Sequence, residues 1–203
     1  RQYKDEVETA LVDKFGRDRV TRGDKAIDVS ENAYALEADV VAAMEYRYYY
    51  RRDPNGTWHF HTGIAFLPDK GSLVSSYPDQ HYQNGVAKNN ATSRRFKRVV
   101  RILKRLRYEM EDKGTAAAKP IASYLSECLV YNVPNEHFNK ATYRSDVRHI
   151  LAYTFNNTGT DDECKEWVEV NSHKYLFHSS QGWTREQAHA FIQENIASKE
   201  DLK

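Results

Sequence analysis

Residues 34–50 read YALEADVVAAMEYRYYY, and the alternation in this stretch decides the fold. Leu36, Ala38, Val40, Ala42 and Met44 fall on one face of an extended chain, with Glu37, Asp39, Val41 and Glu45 on the other, because successive strand side chains point to opposite faces. Asp53-Pro54-Asn55-Gly56 then reads as a hairpin turn, after which Thr57 to Leu67 returns as a second long strand. Upstream, Tyr3, Val7, Ala10, Leu11 and Phe15 recur at spacings of three and four. They predict an amphipathic helix over Tyr3 to Phe15, ended by Gly16. Val20 to Gly23 and Ala26 to Val29 read as two short strands across a turn.

Past Pro68 the period changes to about 3.6 residues and the pattern becomes helical. Helices are expected over Pro78 to Val86, from a Thr92 or Ser93 cap to about Asp112, over Ile121 to Tyr131 behind Pro120, and over Thr142 to Phe155. A last one spans Thr184 to Ile196, where Thr184 and Gln187 make a capping box. The expected fold class is α+β. Residues 1–68 form the remainder of a mixed β-sheet core with one helix, and residues 69–203 form an α-helical lobe.

Composition narrows the function. The 203 residues carry 30 basic against 29 acidic side chains, for a net charge of +1. A uniformly basic nucleic-acid coat and an acidic tail protein are both excluded, so electrostatic arguments rest on local distribution. No apolar run approaches the roughly 18 residues of a membrane span, and no signal-peptide pattern opens the chain, so a cytoplasmic protein without a membrane partner is expected. Cys128 and Cys164 are single and unpatterned, which excludes a disulfide framework and a cysteine-based zinc site.

Two segments carry chemistry. Glu37 and Asp39 lie two apart within an apolar strand, where their hard oxygens suit Mg²⁺, although such a pair also serves as the solvated side of a half-exposed strand. Between His81 and Tyr108 stand nine cations (Lys88, Arg94, Arg95, Lys97, Arg98, Arg101, Lys104, Arg105, Arg107) without one Asp or Glu. Phe96, Val99, Val100, Leu103 and Leu106 make the apolar stripe of this helix, while Lys97, Arg101 and Lys104 line an adjacent face. That face offers a column of charge to phosphates, or a basic surface paired with acidic patches at Glu109 to Asp112 or Asp161 to Glu169. Asp161 to Glu169 reads as solvated surface. His59 and His61 share a strand face and read as packing against the Tyr46 to Tyr50 segment rather than as a metal site.

Glu37 to Val41, Tyr77-Pro78-Asp79-Gln80-His81-Tyr82-Gln83-Asn84-Gly85, the helix Phe96 to Lys104, and Ser123-Tyr124 together resemble one family. It is the bacterial cGAS/DncV-like nucleotidyltransferases, cyclic-oligonucleotide synthases of the anti-phage defence called CBASS. The resemblance runs from about Tyr3 to Phe155. It implies a sheet whose three carboxylates hold two Mg²⁺ ions, and a helical lobe that grips a nucleoside triphosphate. Asp39 takes the place of the third carboxylate, catalytic and metal-ligating. Lys104 takes that of a triphosphate-contacting lysine, Ser123 that of a phosphate-binding serine, and Tyr124 that of a base-stacking aromatic. Lys97 and Arg101 are expected to meet substrate phosphate or an activating polynucleotide. The implied reaction is two-metal nucleotidyl transfer that joins nucleoside triphosphates, ATP among them, into a cyclic di- or trinucleotide messenger.

The sequence departs from the family pattern in one respect. The family carries a Gly-Ser turn followed by two acidic residues upstream of the first helix, whereas here the only Gly-Ser is Gly71-Ser72, downstream of Asp39. The expectation is therefore a fragment, the C-terminal two-thirds of a longer enzyme, inactive by itself for want of two of three metal ligands. The alternatives are a template-independent RNA nucleotidyltransferase of the poly(A), CCA or oligoadenylate type, and a non-catalytic nucleotide- or nucleic-acid-binding module.

Overall fold

A computed structural model of the chain describes residues 1–31 and 36–200. It divides into two compact units, Arg1–Pro78 and Asp79–Lys203. The first opens with helix α1 (Gln2–Phe15) and a three-stranded antiparallel sheet of β1 (Val20–Arg22), β2 (Ile27–Val29) and β3 (Ala38–Val40), in that order. Val7, Leu11, Val12 and Phe15, the apolar side of α1, pack on buried Val20, Ile27 and Val29. A second antiparallel sheet holds β4 (Met44–Arg52), β5 (Trp58–Phe66) and β6 (Val74–Ser76) in sequence order.

The single long strand expected over Tyr34 to Tyr50 is instead two strands in two sheets, and its expected start lies outside the described residues. The register supplies the reason. Val29, Asp28 and Ile27 pair with Ala38, Asp39 and Val40. Beyond Ile27 the partner chain turns back toward β1, so the ladder has no further backbone to offer and β4 finds its partner in β5. The strand β6 also lies past Pro68, where only helices are expected; Gly63 admits it. A Cβ on Gly63 would stand 2.4 Å from the Ser76 carbonyl oxygen and 2.8 Å from the Tyr77 ring.

One polar cluster ties this unit together. Lys4, almost wholly buried, donates to the carbonyls of Gly23 (2.7 Å) and Asp24 (2.8 Å) and to Asp69 (3.0 Å). Arg22 grips both Asp69 oxygens at 2.8 and 2.7 Å and reaches Glu8 at 2.6 Å. The Arg22 guanidinium, with Lys4 behind it, holds the Asp69 carboxyl well below the usual carboxylate range.

The second unit is helical: α2 (Pro78–Ala91), α3 (Arg95–Asp112), α4 (Ser123–Asn132), α5 (Tyr143–Asn156), the short α6 (Asp161–Cys164) and α7 (Arg185–Glu200). The predicted stripe of α3 is buried at Phe96, Val99, Val100 and Leu103. They belong to one core with Leu125, Cys128 and Leu129 of α4, Val147, Ile150 and Leu151 of α5, and Phe191 and Ile192 of α7. Each such side chain contributes about 1.5–3 kcal/mol by leaving water. The caps follow local sequence. Thr142 accepts from the Ser145 N–H and Thr184 exchanges bonds with Gln187. At α3 the expected cap at Thr92 or Ser93 is displaced: the N-cap is Arg94, in the left-handed region and without a side-chain cap bond, while Thr92 Oγ1 accepts from the Phe96 N–H at 3.0 Å from two residues farther back. Helix α4 begins at Ser123 rather than Ile121, because Ala122 is extended and Ile121 is drawn into the core. Among the described residues no helix is long and apolar enough to cross a membrane.

Candidate functional site

Helix α3 turns Lys97, Arg101, Lys104 and Tyr108 along one stripe, at spacings of four, three and four. Its far end meets the start of α4. Lys104 Nζ lies 3.0 Å from Glu127 Oε2, and Tyr108 Oη lies 3.4 Å from Ser123 Oγ. The other Glu127 oxygen is 3.4 Å from His81 Nε2 on α2, and the His81 ring stacks on Tyr124 with centroids 5.6 Å apart and planes 26° off parallel. The structure thus gathers three of the expected residues, Lys104, Ser123 and Tyr124, around one helix start. There the first N–H groups of α4 have no intrahelical acceptor, and the helix dipole favours an anion. Ser123 is the first residue of α4, not one turn inside it, which puts its hydroxyl and N–H together at that end.

The near end of the stripe is open. Lys97 and Arg101 are exposed, and among the described residues neither side chain forms an ion pair. Most of the other cations on the helix are engaged. Arg95 meets Asp146 at 2.6 Å, Arg98 bonds the Tyr143 hydroxyl, Arg105 pairs with Glu109, and Arg107 with Glu111. Of the acidic patches expected to balance this face, Glu109 to Asp112 supplies two of the partners.

Tyr124 is held at its far end as well. Its hydroxyl donates to Glu169 Oε2 at 3.0 Å, and Trp183 leans on the ring at 6.2 Å. Burial, then the neighbouring Cys128 and Glu169, push the Tyr124 phenol upward, and burial pushes the Cys128 thiol up to about 12. Glu169 itself is buried, 5% exposed, so the solvated acidic surface expected over Asp161 to Glu169 does not extend to its last residue. Three hydrogen-bond donors compensate it there. Sequence reasoning missed His81, Glu127 and Glu169. Glu127 stands one turn after Ser123 on α4, a spacing that marks a shared face, but nothing local marks Glu169 as buried.

Asp39 belongs to the first unit. It is exposed on β3, and its partner across the strands is Asp28. Residues directly opposite on an antiparallel pair share a face, so Asp28 and Asp39 present two carboxylates together. Their hard oxygens suit Mg²⁺ in kind. They do not suffice in number for two ions, since among the described residues no group of three or more His, Cys, Asp or Glu is placed to hold a metal. The histidine pair packs as expected: Tyr50 stacks on His61 at 4.4 Å, and His59 Nε2 lies 2.6 Å from Asp53.

Comparison with known proteins fixes the class. The chain superposes on the solved cyclic dinucleotide synthase CdnE of Elizabethkingia meningoseptica with a TM-score of 0.82 at 33% identity, covering 96% of this chain and 69% of that one. The fold is therefore that of a nucleotidyltransferase. Residues 83–198 match the cGAS/DncV-like nucleotidyltransferase C-terminal helical domain, and the chain belongs to the cGAS/DncV-like nucleotidyltransferase family. It is 45% identical to the cyclic dipyrimidine nucleotide synthase CdnE of Cecembia lonarensis, over 94% of this chain. To the synthase of the same name from Legionella pneumophila it is 44% identical, over 95%. The chain spans 63% of the length of each of these two relatives.

Proposed function

We propose that this chain supplies the nucleotide-gripping lobe and part of the catalytic sheet of a synthase that joins two nucleoside triphosphates into a cyclic dinucleotide messenger. The observation that carries the reading is the convergence of Lys104, Ser123 and Tyr124 on the start of α4. Lys104 and the Ser123 hydroxyl are assigned to the triphosphate, Tyr124 to the base, and Lys97 and Arg101 to phosphates farther along α3. An activating polynucleotide or protein is the other candidate for those last two. The reading agrees with the names of the relatives, and with the Elizabethkingia synthase having been solved with GTP and Apcpp. The messenger would act in the cytoplasm as an anti-phage signal.

Asp39 is assigned as one carboxylate ligand of Mg²⁺, the ion that supplies Lewis-acid activation and charge neutralisation in nucleotidyl transfer. Two ions need more carboxylates than Asp39 and Asp28 provide. The 203 residues alone are therefore expected to bind triphosphate without joining it.

Equilibrium binding of CTP, UTP, ATP and GTP to the chain tests the assignment. Lys104→Ala should weaken triphosphate binding about ten- to a hundredfold, the loss of one charge-assisted contact of roughly 1.5–3 kcal/mol. Retention of full affinity would sink it. Incubation of a longer protein containing this chain with labelled triphosphates and Mg²⁺ tests the activity. Small phosphatase-resistant products support a cyclic dinucleotide, extended RNA would make the protein an RNA nucleotidyltransferase, and no product would leave a binding module.

A further inference from the structure

We infer that Glu169 is a positioning residue that pins Tyr124 as the seat of a nucleobase. The inference rests on the reading of Tyr124 as the base-stacking aromatic. Its starting point is physical: a carboxylate taken out of water is strongly disfavoured unless a cation or several donors replace its hydration. Glu169 has, among the described residues, no cation partner. Three neutral donors surround it instead: the Tyr124 hydroxyl at 3.0 Å and Asn171 Nδ2 at 2.5 Å on one oxygen, and Gln181 Nε2 at 2.8 Å on the other. Asn171 is itself fixed, since its Oδ1 accepts from the His173 N–H at 2.8 Å, and Gln181 also donates to the Tyr175 carbonyl.

The consequence falls on the Tyr124 ring. Its backbone end is set by the second residue of α4 and its hydroxyl end by Glu169, with His81 stacked against it. A ring held at both ends keeps one plane, and stacking on a pre-set plane costs a ligand less ordering than stacking on a free rotor. Because the phenol is pushed upward it stays a donor throughout the working pH range, so the pin does not titrate away.

The test separates the base from the phosphates. Binding of a nucleoside triphosphate and of inorganic tripolyphosphate, which lacks a base, is measured on the whole chain and on Glu169→Gln, with circular dichroism to confirm folding. Glu169→Gln should weaken the nucleoside triphosphate about tenfold and leave tripolyphosphate within about twofold, a partial loss of the stacking contribution. Tyr124→Phe removes only the hydroxyl that Glu169 holds. It should give the same selective loss, and the double variant should lose no more than either single one. Tyr124→Phe decides the question if Glu169→Gln does not fold. Equal loss of both ligands, or loss of neither in a variant that folds, overturns the positioning role. If Tyr124→Ala leaves nucleoside triphosphate affinity unchanged, the base sits elsewhere and the reading of the site fails first.

Discussion

Lys88 shows how one side chain can carry a pH dependence for the whole second unit. Its ammonium donates to the Val133 carbonyl at 2.5 Å and lies over the rings of Tyr131 and Phe138, at 5.8 and 5.5 Å. Burial lowers it from 10.5 to about 8, against the opposing pull of Glu136. A lowered base means that the unfolded chain binds the proton more tightly than the folded one. The penalty is therefore present in full below about pH 8 and is relieved as pH rises from there toward 10.5. Relative to Lys88→Met, which has no such proton, the wild-type chain should gain stability between pH 7.5 and 10 in urea denaturation. A pH-independent difference between the two would show that the amine is not desolvated in the folded chain.

At the scale of elements, Gly63 lets β6 approach β5. Gly63→Ala places a methyl group against the Ser76 carbonyl and the Tyr77 ring, and overpacking of this kind costs about 1–3 kcal/mol. The expected outcome is a lower urea midpoint, with faster amide exchange confined to β5 and β6; an unchanged midpoint would mean that the strand shifts freely. Most helices were legible in the sequence because their signals are local. Thr142 and Thr184 bond N–H groups three residues away, and the apolar stripe of α3 needs only its own periodicity. The separation of β3 from β4 was not legible, because alternation reports that a chain is extended but not which strand it pairs with. For the same reason the cross-strand neighbour of Asp39, Asp28, was not legible either. Within the candidate site, Lys104, Ser123 and Tyr124 came from resemblance. Glu169 came from neither pattern nor charge, since beside the neighbouring Asn171 its burial depends on donors brought from elsewhere in the chain by Tyr124 and Gln181.

The whole molecule is uneven in what holds it. Among the described residues the first sheet and α1 bury three apolar side chains, Val20, Ile27 and Val29, whereas the helical unit has a continuous core drawn from α3, α4, α5 and α7. Local opening is easiest where few apolar contacts are lost. Hydrogen exchange on the intact chain should show β1–β3 amides exchanging at least about tenfold faster than those of α3 and α4; equal protection would refute this.

Charge is uneven in the same way, and the pairing of Lys104 with Glu127 has a consequence for how ligand binding responds to salt. A cation that already holds a carboxylate at 3.0 Å carries few mobile ions with it, so a triphosphate arriving there displaces a fixed neighbour rather than releasing solution anions. On the proposed assignment to phosphate, exposed Lys97 and Arg101 would release them. Raising the salt concentration should therefore weaken triphosphate binding by a slope that Lys97→Ala and Arg101→Ala each reduce and Lys104→Ala leaves nearly unchanged, even though Lys104→Ala costs the most affinity. Strength of attraction and sensitivity to ionic strength then belong to different residues of the same helix.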